Sequence, residues 1–505
     1  MRPAELSPVA RPRVVFGVRW DGRGRGIVLA AGLIASLLCT LLIAATASAR
    51  DRSVPVVVVG EGSARAVAAA GGEVTHRVGL IDGVVARVPS RSVRAVRRAR
   101  GVRAVVVDRP FVTRGDDDES TGVTGLDLLV DEDAARAPGE VPDSATTLDE
   151  VRETIGADRL AADGAGVDVA LIDSGITPVE SLGAAGKVVN APDFSSDARD
   201  ADLRNLDAFG HGTHLAGIVA GVAPGARLVN VKAADAEGIT SLTRLLRAID
   251  WTVRNRRANG LDVRVITLAV GADNHYGYER EPLAWAVEQA WQAGIVVVAA
   301  AGNDGNSGRG LDLPAADPFV LAVGGSDTRG TGDPADDAVA DWSSRGDGRR
   351  DPDVVAPGSS VVSLRVAGSF IDEASADGRI GETLQRGSGT SQAAAATSAA
   401  VALLLERHPE WTPNQIKAAL RETARPLEGD PRAVGRGRVD VAAADGAQPA
   451  DRAQPFKQAK LWGRALNRRH TRAAHRIRKI LGRRWSGRRW SGVKWNGVKW
   501  NGVKW

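Results

Sequence analysis

From Leu148 onward the sequence predicts an α/β fold of three layers, α/β/α, with helices on both faces of a mainly parallel sheet. Three observations predict it. Val167–Ile172 is a continuous apolar run, and Arg227–Lys232, Val263–Val270, Ile295–Ala300 and Val320–Val323 are similar. Strands buried on both faces read this way. Ser241–Arg256 and Glu281–Ala293 lie between these runs at helical period, and strands that alternate with helices make a parallel sheet. Finally, Gly387–His408 opens on a Gly/Ser/Thr turn and continues in Ala and Leu without Gly or Pro up to Pro409. A helix apolar on nearly every face runs through the middle of a domain.

The start of that helix places Ser391 where backbone N–H groups point free and the helix dipole is positive. A serine there either caps the helix or acts as a nucleophile stabilised by the same positive end, and local sequence leaves both open. Farther on, Thr412–Thr423 is a helix with an N-cap at Thr412 and Pro413 at its first position. A last strand is expected near Gly437–Val441.

A chain of 505 residues is long enough for about three units. Its only cysteine, Cys39, lies in the apolar run Ile27–Ala45, preceded by Arg23 and Arg25 and followed by Ala47-Ser48-Ala49. That is the layout of a secretory signal peptide, residues 1–49; an uncleaved membrane anchor is the other reading. Cleavage would leave a mature chain without Cys or Met, and so without disulfides. Within residues 50–112, Ser53–Phe111 reads β-α-β-β-α-β, the order of a small α+β, ferredoxin-like domain. Residues 113–146 are rich in Asp, Glu, Gly and Pro and read as an exposed linker open to processing. The α/β domain takes 147–446.

Residues 447–505 form a basic, Trp-rich tail. It combines a basic amphipathic segment, Lys457–Leu481, with a five-residue repeat starting at Trp485, Trp490, Trp495 and Trp500. Of the 66 Lys and Arg, 16 lie at 457–505 with no acid, so the other 50 face 61 Asp and Glu. The body is therefore acidic, which excludes it as a polyanion binder and leaves only the tail for such contact. The tail reads either as a disordered basic extension or as a contact for anionic surfaces.

Three polar residues end or begin the apolar elements. Asp173 follows VDVALI, at the strand end where ligands bind in a parallel sheet. His211 opens GHGTH before a helix, and Ser391 opens the central helix. A serine hydroxyl needs a base to become nucleophilic, imidazole serves near neutral pH, and a carboxylate fixes the imidazole tautomer. Asn303, in Ala301-Gly302-Asn303 after another strand, could donate to an oxyanion together with the Ser391 N–H. Each has a bland reading alone: a turn cap, a buried structural His, an N-cap. Zinc on His211 and His214 is not expected, since no HExxH pattern or third ligand accompanies them.

The order Asp, His, Ser in the contexts DSG, HGTHLAG and GTSQA resembles the subtilisin-like serine peptidases, the subtilase family, and AAAGNDG resembles that family's oxyanion-hole segment. The resemblance covers Thr147–Ala444. It implies a serine endopeptidase with Asp173 as orienting acid, His211 as general base, Ser391 as nucleophile and Asn303 as oxyanion donor; His214 would be structural. It also implies substrate contact through Ala269, Val270, Gly271 and Gly302. Residues 53–111 resemble the family's inhibitory propeptide, whose C-terminal end lies in the active site until cleaved.

The departures are Gln392 where the family usually has Met, Ala394-Ala395-Ala396 for Ser-Pro-His, and Ala269-Val270-Gly271 for Ser-Leu-Gly. The family's calcium-loop insertion after His211 is absent. No metal or other cofactor is therefore expected, beyond weak calcium binding at Asp193–Asp207. The resemblance and the signal together imply a secreted or envelope-associated, self-processing zymogen. Its expected partners are protein or peptide substrates, its own propeptide as inhibitor and an anionic envelope surface; nucleic acid is not expected.

Overall fold

The computed structural model describes residues 53–108, 141, 144–271, 277–331 and 335–460. The signal-like segment, most of the acidic linker, the amphipathic segment beyond Lys460 and the Trp repeats lie outside the described residues.

The N-terminal unit forms one antiparallel sheet from β1 (Ser53–Val59), β2 (Glu73–Val78), β3 (Gly83–Pro89) and β4 (Ala104–Val107), in the order β2-β3-β1-β4. Helices Ser63–Ala69 and Val93–Arg98 cover one face. Val56–Val59 are all fully buried, because successive side chains point to opposite faces and both faces are covered. Val56 and Val58 pack under the unit's own helices, whereas Val57 and Val59 join the core of the large domain. Polar contacts complete this docking. Leu80 N–H donates to Asp250 Oδ1 at 3.0 Å, Trp285 Nε1–H donates to Leu80 O at 2.8 Å, and Asp108 accepts from Thr243 N–H at 3.1 Å. Asp108 thus caps helix Leu242–Asn255 from the other domain.

The large domain is built on β5 (Asp168–Asp173), β6 (Val188–Asn190), β7 (Arg227–Lys232), β8 (Val263–Leu268), β9 (Val296–Ala300), β10 (Leu321–Asp327), β11 (Ala338–Val339) and β12 (Val354–Pro357). The order is β11-β10-β9-β8-β5-β7-β6, with β12 also on β10. Every pairing is parallel except β10 with β11. Helix Thr390–Arg407 lies against β8, β9 and β10, and helix His211–Val222 packs on it. From β5 the chain winds toward β6 and β7, and from β8 toward β9 and β10. The carboxyl ends of β5 and β8 therefore flank the point where winding reverses, the place such sheets open a crevice. The strand expected at Gly437–Val441 reduces to single bridges of Arg438 with Val355 and Arg425, and helix Val441–Asp445 begins at its last residue. Asp440 caps that helix by accepting from Ala443 N–H, which turns the chain before a strand can extend.

Residues 447–460, the first part of the tail, run along the large domain. Tyr278 Oη–H donates to Lys457 O at 2.8 Å, and Ala459 N–H donates to Glu288 Oε1 at 2.7 Å. Glu288, beneath this strap, shares a hydrogen bond with Asp317, which requires a proton on one of them. Burial pushes both up, and the pair titrates near pH 7 to 8 (Asp317 to about 7, Glu288 to about 8). Folded, the pair keeps a proton that unfolded carboxylates lose above about pH 4.5. The pair's contribution to stability is therefore fullest at low pH and should be lost as pH rises through the folded values. Glu288→Gln, neutral and able to donate to Asp317, should flatten the fall of Tm between pH 5 and 8.5; an unchanged slope would show that the pair does not carry it.

Candidate active site

Asp173 closes β5, and its Oδ1 lies 2.8 Å from His211 Nδ1. Both residues are buried. The close approach depends on Gly212: a Cβ there would sit 2.2 Å from Gly175 O and 3.1 Å from Asp173 Oδ1. A side chain at 212 would push the histidine helix off the β5 end. His214, three residues on, is fully buried and hydrogen-bonded with the backbone of Leu364. Burial, with the neighbouring His211 second, lowers its pKa to about 3, so it stays neutral.

Ser391 is the second residue of helix Thr390–Arg407, at its positive end, and fully buried. Its hydroxyl donates to Ala269 O at 3.4 Å, so the segment after β8 adjoins the serine. Val270 and Gly271 follow in that segment, both buried. The N-cap alternative for Ser391 fails on position: Gly389 is the cap residue, and no side chain caps this helix.

Asn303 follows β9, and its side chain is held from one side. Its Oδ1 accepts from Thr390 N–H at 3.0 Å and Thr390 Oγ1–H at 3.1 Å. With Oδ1 turned toward Thr390, the Nδ2 donor faces the other way. Gly302, with φ 112°, donates its N–H to Thr390 Oγ1 at 3.1 Å and accepts from Ser344 N–H at 2.9 Å. A Cβ on Gly302 would meet Ser344 Oγ at 2.7 Å and Asp312 Oδ2 at 2.9 Å, so this position excludes any larger residue. Thr390 was missed in the sequence. Its signal is its place, one residue before Ser391 in GTS.

Gln392 is fully buried, and neither its amide oxygen nor its nitrogen bonds a protein group. The acidic stretch Asp193–Asp207 is satisfied from within. Asp193 accepts from Ser195 N–H at 2.7 Å and Asn205 N–H at 3.1 Å, and Asp197 pairs with the buried Lys232 ammonium at 2.7 Å. Lys232 also donates to Leu203 O and Leu206 O. Among the described residues no three His, Cys, Asp or Glu side chains converge as metal ligands.

The arrangement brings a hydroxyl, an imidazole–carboxylate pair and an amide donor to one edge of the sheet, beside a backbone segment. The sequence profile of the subtilase family matches residues 164–443. Serine protease AprX of Bacillus subtilis (strain 168) is 34% identical over 317 residues, 59% of this chain and 70% of that protein. Minor extracellular protease Epr of the same organism is 32% identical over 268 residues, 51% of this chain and 35% of that protein. In fold, the chain is similar to fervidolysin from Fervidobacterium pennivorans, described as a keratinolytic enzyme related to subtilisin. The TM-score is 0.58 at 22% identity, over 79% of this chain and 62% of that one. With more than half its length matched by the family profile, and with a three-layer fold around a mainly parallel sheet, the chain belongs to the subtilase family and is a serine endopeptidase acting on proteins or peptides.

Proposed function

We propose that peptide-bond hydrolysis here runs through Asp173, His211 and Ser391, on a chain made as a secreted, self-processing zymogen. The observation that carries the triad is the 2.8 Å contact of His211 Nδ1 with Asp173, at the edge of the sheet where the Ser391 helix begins. Asp173 fixes the imidazole so that Nε2 can take the Ser391 proton as Oγ attacks the scissile carbonyl. Asn303 Nδ2 and the Ser391 N–H hold the oxyanion. An extended substrate pairs with backbone at Ala269, Val270 and Gly271, beside Gly302. As the tetrahedral species collapses, His211 gives the Ser391 proton to the leaving amine and the C–N bond breaks; the acyl-enzyme is then hydrolysed by water that His211 activates.

Secretion is supported by the signal-like layout before Ala49, and zymogen processing by the docking of residues 53–108 through Asp108 and Leu80. The basic Trp repeats suit an anionic envelope surface rather than nucleic acid, given secretion. No metal is needed at Asp193–Asp207, because Lys232 supplies the cation that this loop's carbonyls bind. The test is labelling by a fluorophosphonate in excess EDTA. The wild type should label at Ser391 as fast as without EDTA. An unlabelled protein would overturn the triad, and labelling that fails only in EDTA would overturn the metal-free reading.

Gln392 gives a second expectation. An unpaired buried amide costs about 1–3 kcal/mol, so Gln392→Met should raise Tm by a few degrees, roughly 2–4 °C per kcal/mol recovered. It would also place a thioether beside the nucleophile. Peroxide should then inactivate the variant while sparing the wild type, whose only sulfur residues are Met1 and Cys39. Thermal melts and residual activity after peroxide check both halves.

A further inference from the structure

Ser174 and Asp207 have no part in the triad as read above, yet both bear on it. Ser174 is fully buried directly after Asp173. Its Oγ lies 3.1 Å from Asp173 Oδ1 and 2.7 Å from Asp207 Oδ1, and it accepts Gly212 N–H at 3.0 Å. A hydroxyl carries one hydrogen, so it cannot serve both carboxylates fully at once. Asp207 is fully buried as well, four residues before His211. Its other partners are the backbone N–H groups of Gly210 and Thr213, each at 2.7 Å, which lie on either side of His211 in the chain, and the Thr213 hydroxyl. Burial pushes its carboxyl up, and the hydrogen bonds from Thr213, Ser174 and Gly210 act against that.

The charged and titratable groups facing this network are few. Asp173 and Asp207 are the acidic groups, and Asp207 accepts donors at both of its oxygens, as a carboxylate does. His211 is the group that gains a proton, and His214, its neighbour, stays neutral. The ammonium of Lys232, the strand partner of Asp173, is engaged by Asp197, Leu203 O and Leu206 O. Two buried carboxylates therefore act on one imidazole. Asp173 acts by direct contact. Asp207 acts through a single shared hydroxyl and through its field, which a dry interior screens weakly.

We propose that Ser174 and Asp207 are positioning residues of the active site, which hold Asp173 against His211 and set the proton affinity of its imidazole. This rests on His211 being the general base. The two residues pull in opposite directions. Ser174 donates to Asp173 and tempers its basicity, so losing the hydroxyl makes Asp173 a stronger partner for imidazolium. Asp207 adds negative charge and competes for the Ser174 hydrogen, so neutralising it weakens imidazolium and releases the hydroxyl to Asp173.

The test is the acid limb of kcat/KM against pH for the purified enzyme and its variants. Ser174→Ala should move the limb to higher pH, and Ser174→Thr should return it to the wild-type position. Asp207→Asn should move it to lower pH, by about one pH unit at the outside for a buried charge one residue-shell away. Should Asp207→Asn not fold, because its amide faces backbone N–H donors, the Ser174 pair decides alone. Limbs that stay at the wild-type pH while only Tm or KM changes would make both residues merely structural and overturn the inference. Fluorophosphonate labelling of the same wild-type sample separates the two readings. Labelled Ser391 with unmoved limbs sinks this inference alone, and unlabelled Ser391 sinks the triad beneath it.

Discussion

Ser391→Ala should leave the purified chain carrying its N-terminal domain, whereas the wild type should begin within the acidic linker. The cut is confined by what anchors either side of it. Asp108 is docked on the cap of helix Leu242–Asn255. Ala145 is buried, and Thr146 N–H donates to Ser360 O at 3.0 Å. Between these anchors lie residues 109–144, whose Asp- and Gly-rich composition suits a cleavage site. Intact mass of the two proteins reads the outcome directly. If both start directly after Ala49, Ser391 does not drive maturation. Peptidase activity should fall in parallel, by about 10⁶ in kcat for Ser391→Ala or His211→Ala, the scale of the loss in subtilisin itself, where nucleophile and base act as one unit. Full processing in His211→Ala would be incompatible with His211 as the base.

Asn303→Leu should lower kcat by about 10² to 10³ with KM nearly unchanged, again the scale that the equivalent loss has in subtilisin. Charge develops on the carbonyl oxygen only as the tetrahedral species forms, so its donor contributes little to ground-state binding. The geometry behind the prediction is the double hold of Thr390 on Asn303 Oδ1, which leaves Nδ2 aimed without further reorganisation. Thr390→Val keeps the backbone donor and removes the hydroxyl, so it should cost less than Asn303→Leu, in the same direction and again in kcat. If KM instead rises with kcat untouched, Asn303 contacts the ground state and the oxyanion role is wrong.

Much of this was legible in the sequence because it is set by local pattern. Short, mainly apolar runs such as Val167–Ile172 and Ile295–Ala300 read as strands covered on both faces, and β5 and β9 occupy them to within a residue. The valine run at 54–59 belongs to the same logic, although what covers its second face is a different domain. Asp173, His211 and Ser391 were identifiable because each lies at an element end inside a short motif whose residue types the chemistry demands.

What the sequence could not determine was any group whose role depends on a partner far along the chain. The Gly437–Val441 segment has strand composition, but the Asp440 cap and the partners available to Arg438 limit it to bridges. Residues 447–460 read as the start of a tail by charge, yet they are strapped down by Glu288 and Tyr278. Thr390, Ser174 and Asp207 look like ordinary turn residues until Asn303 is brought against the first and the other two meet each other. By itself, then, the sequence determined the layers, the order of the strands along the chain and the candidate reacting groups, since these follow from hydrophobic periodicity and motif chemistry. The hydrogen bonds that aim those groups, and the pairing of buried carboxyls beneath the strap, were decided only by tertiary structure. Such bonds join residues tens to hundreds of positions apart, and no local pattern records which buried donor will meet which acceptor.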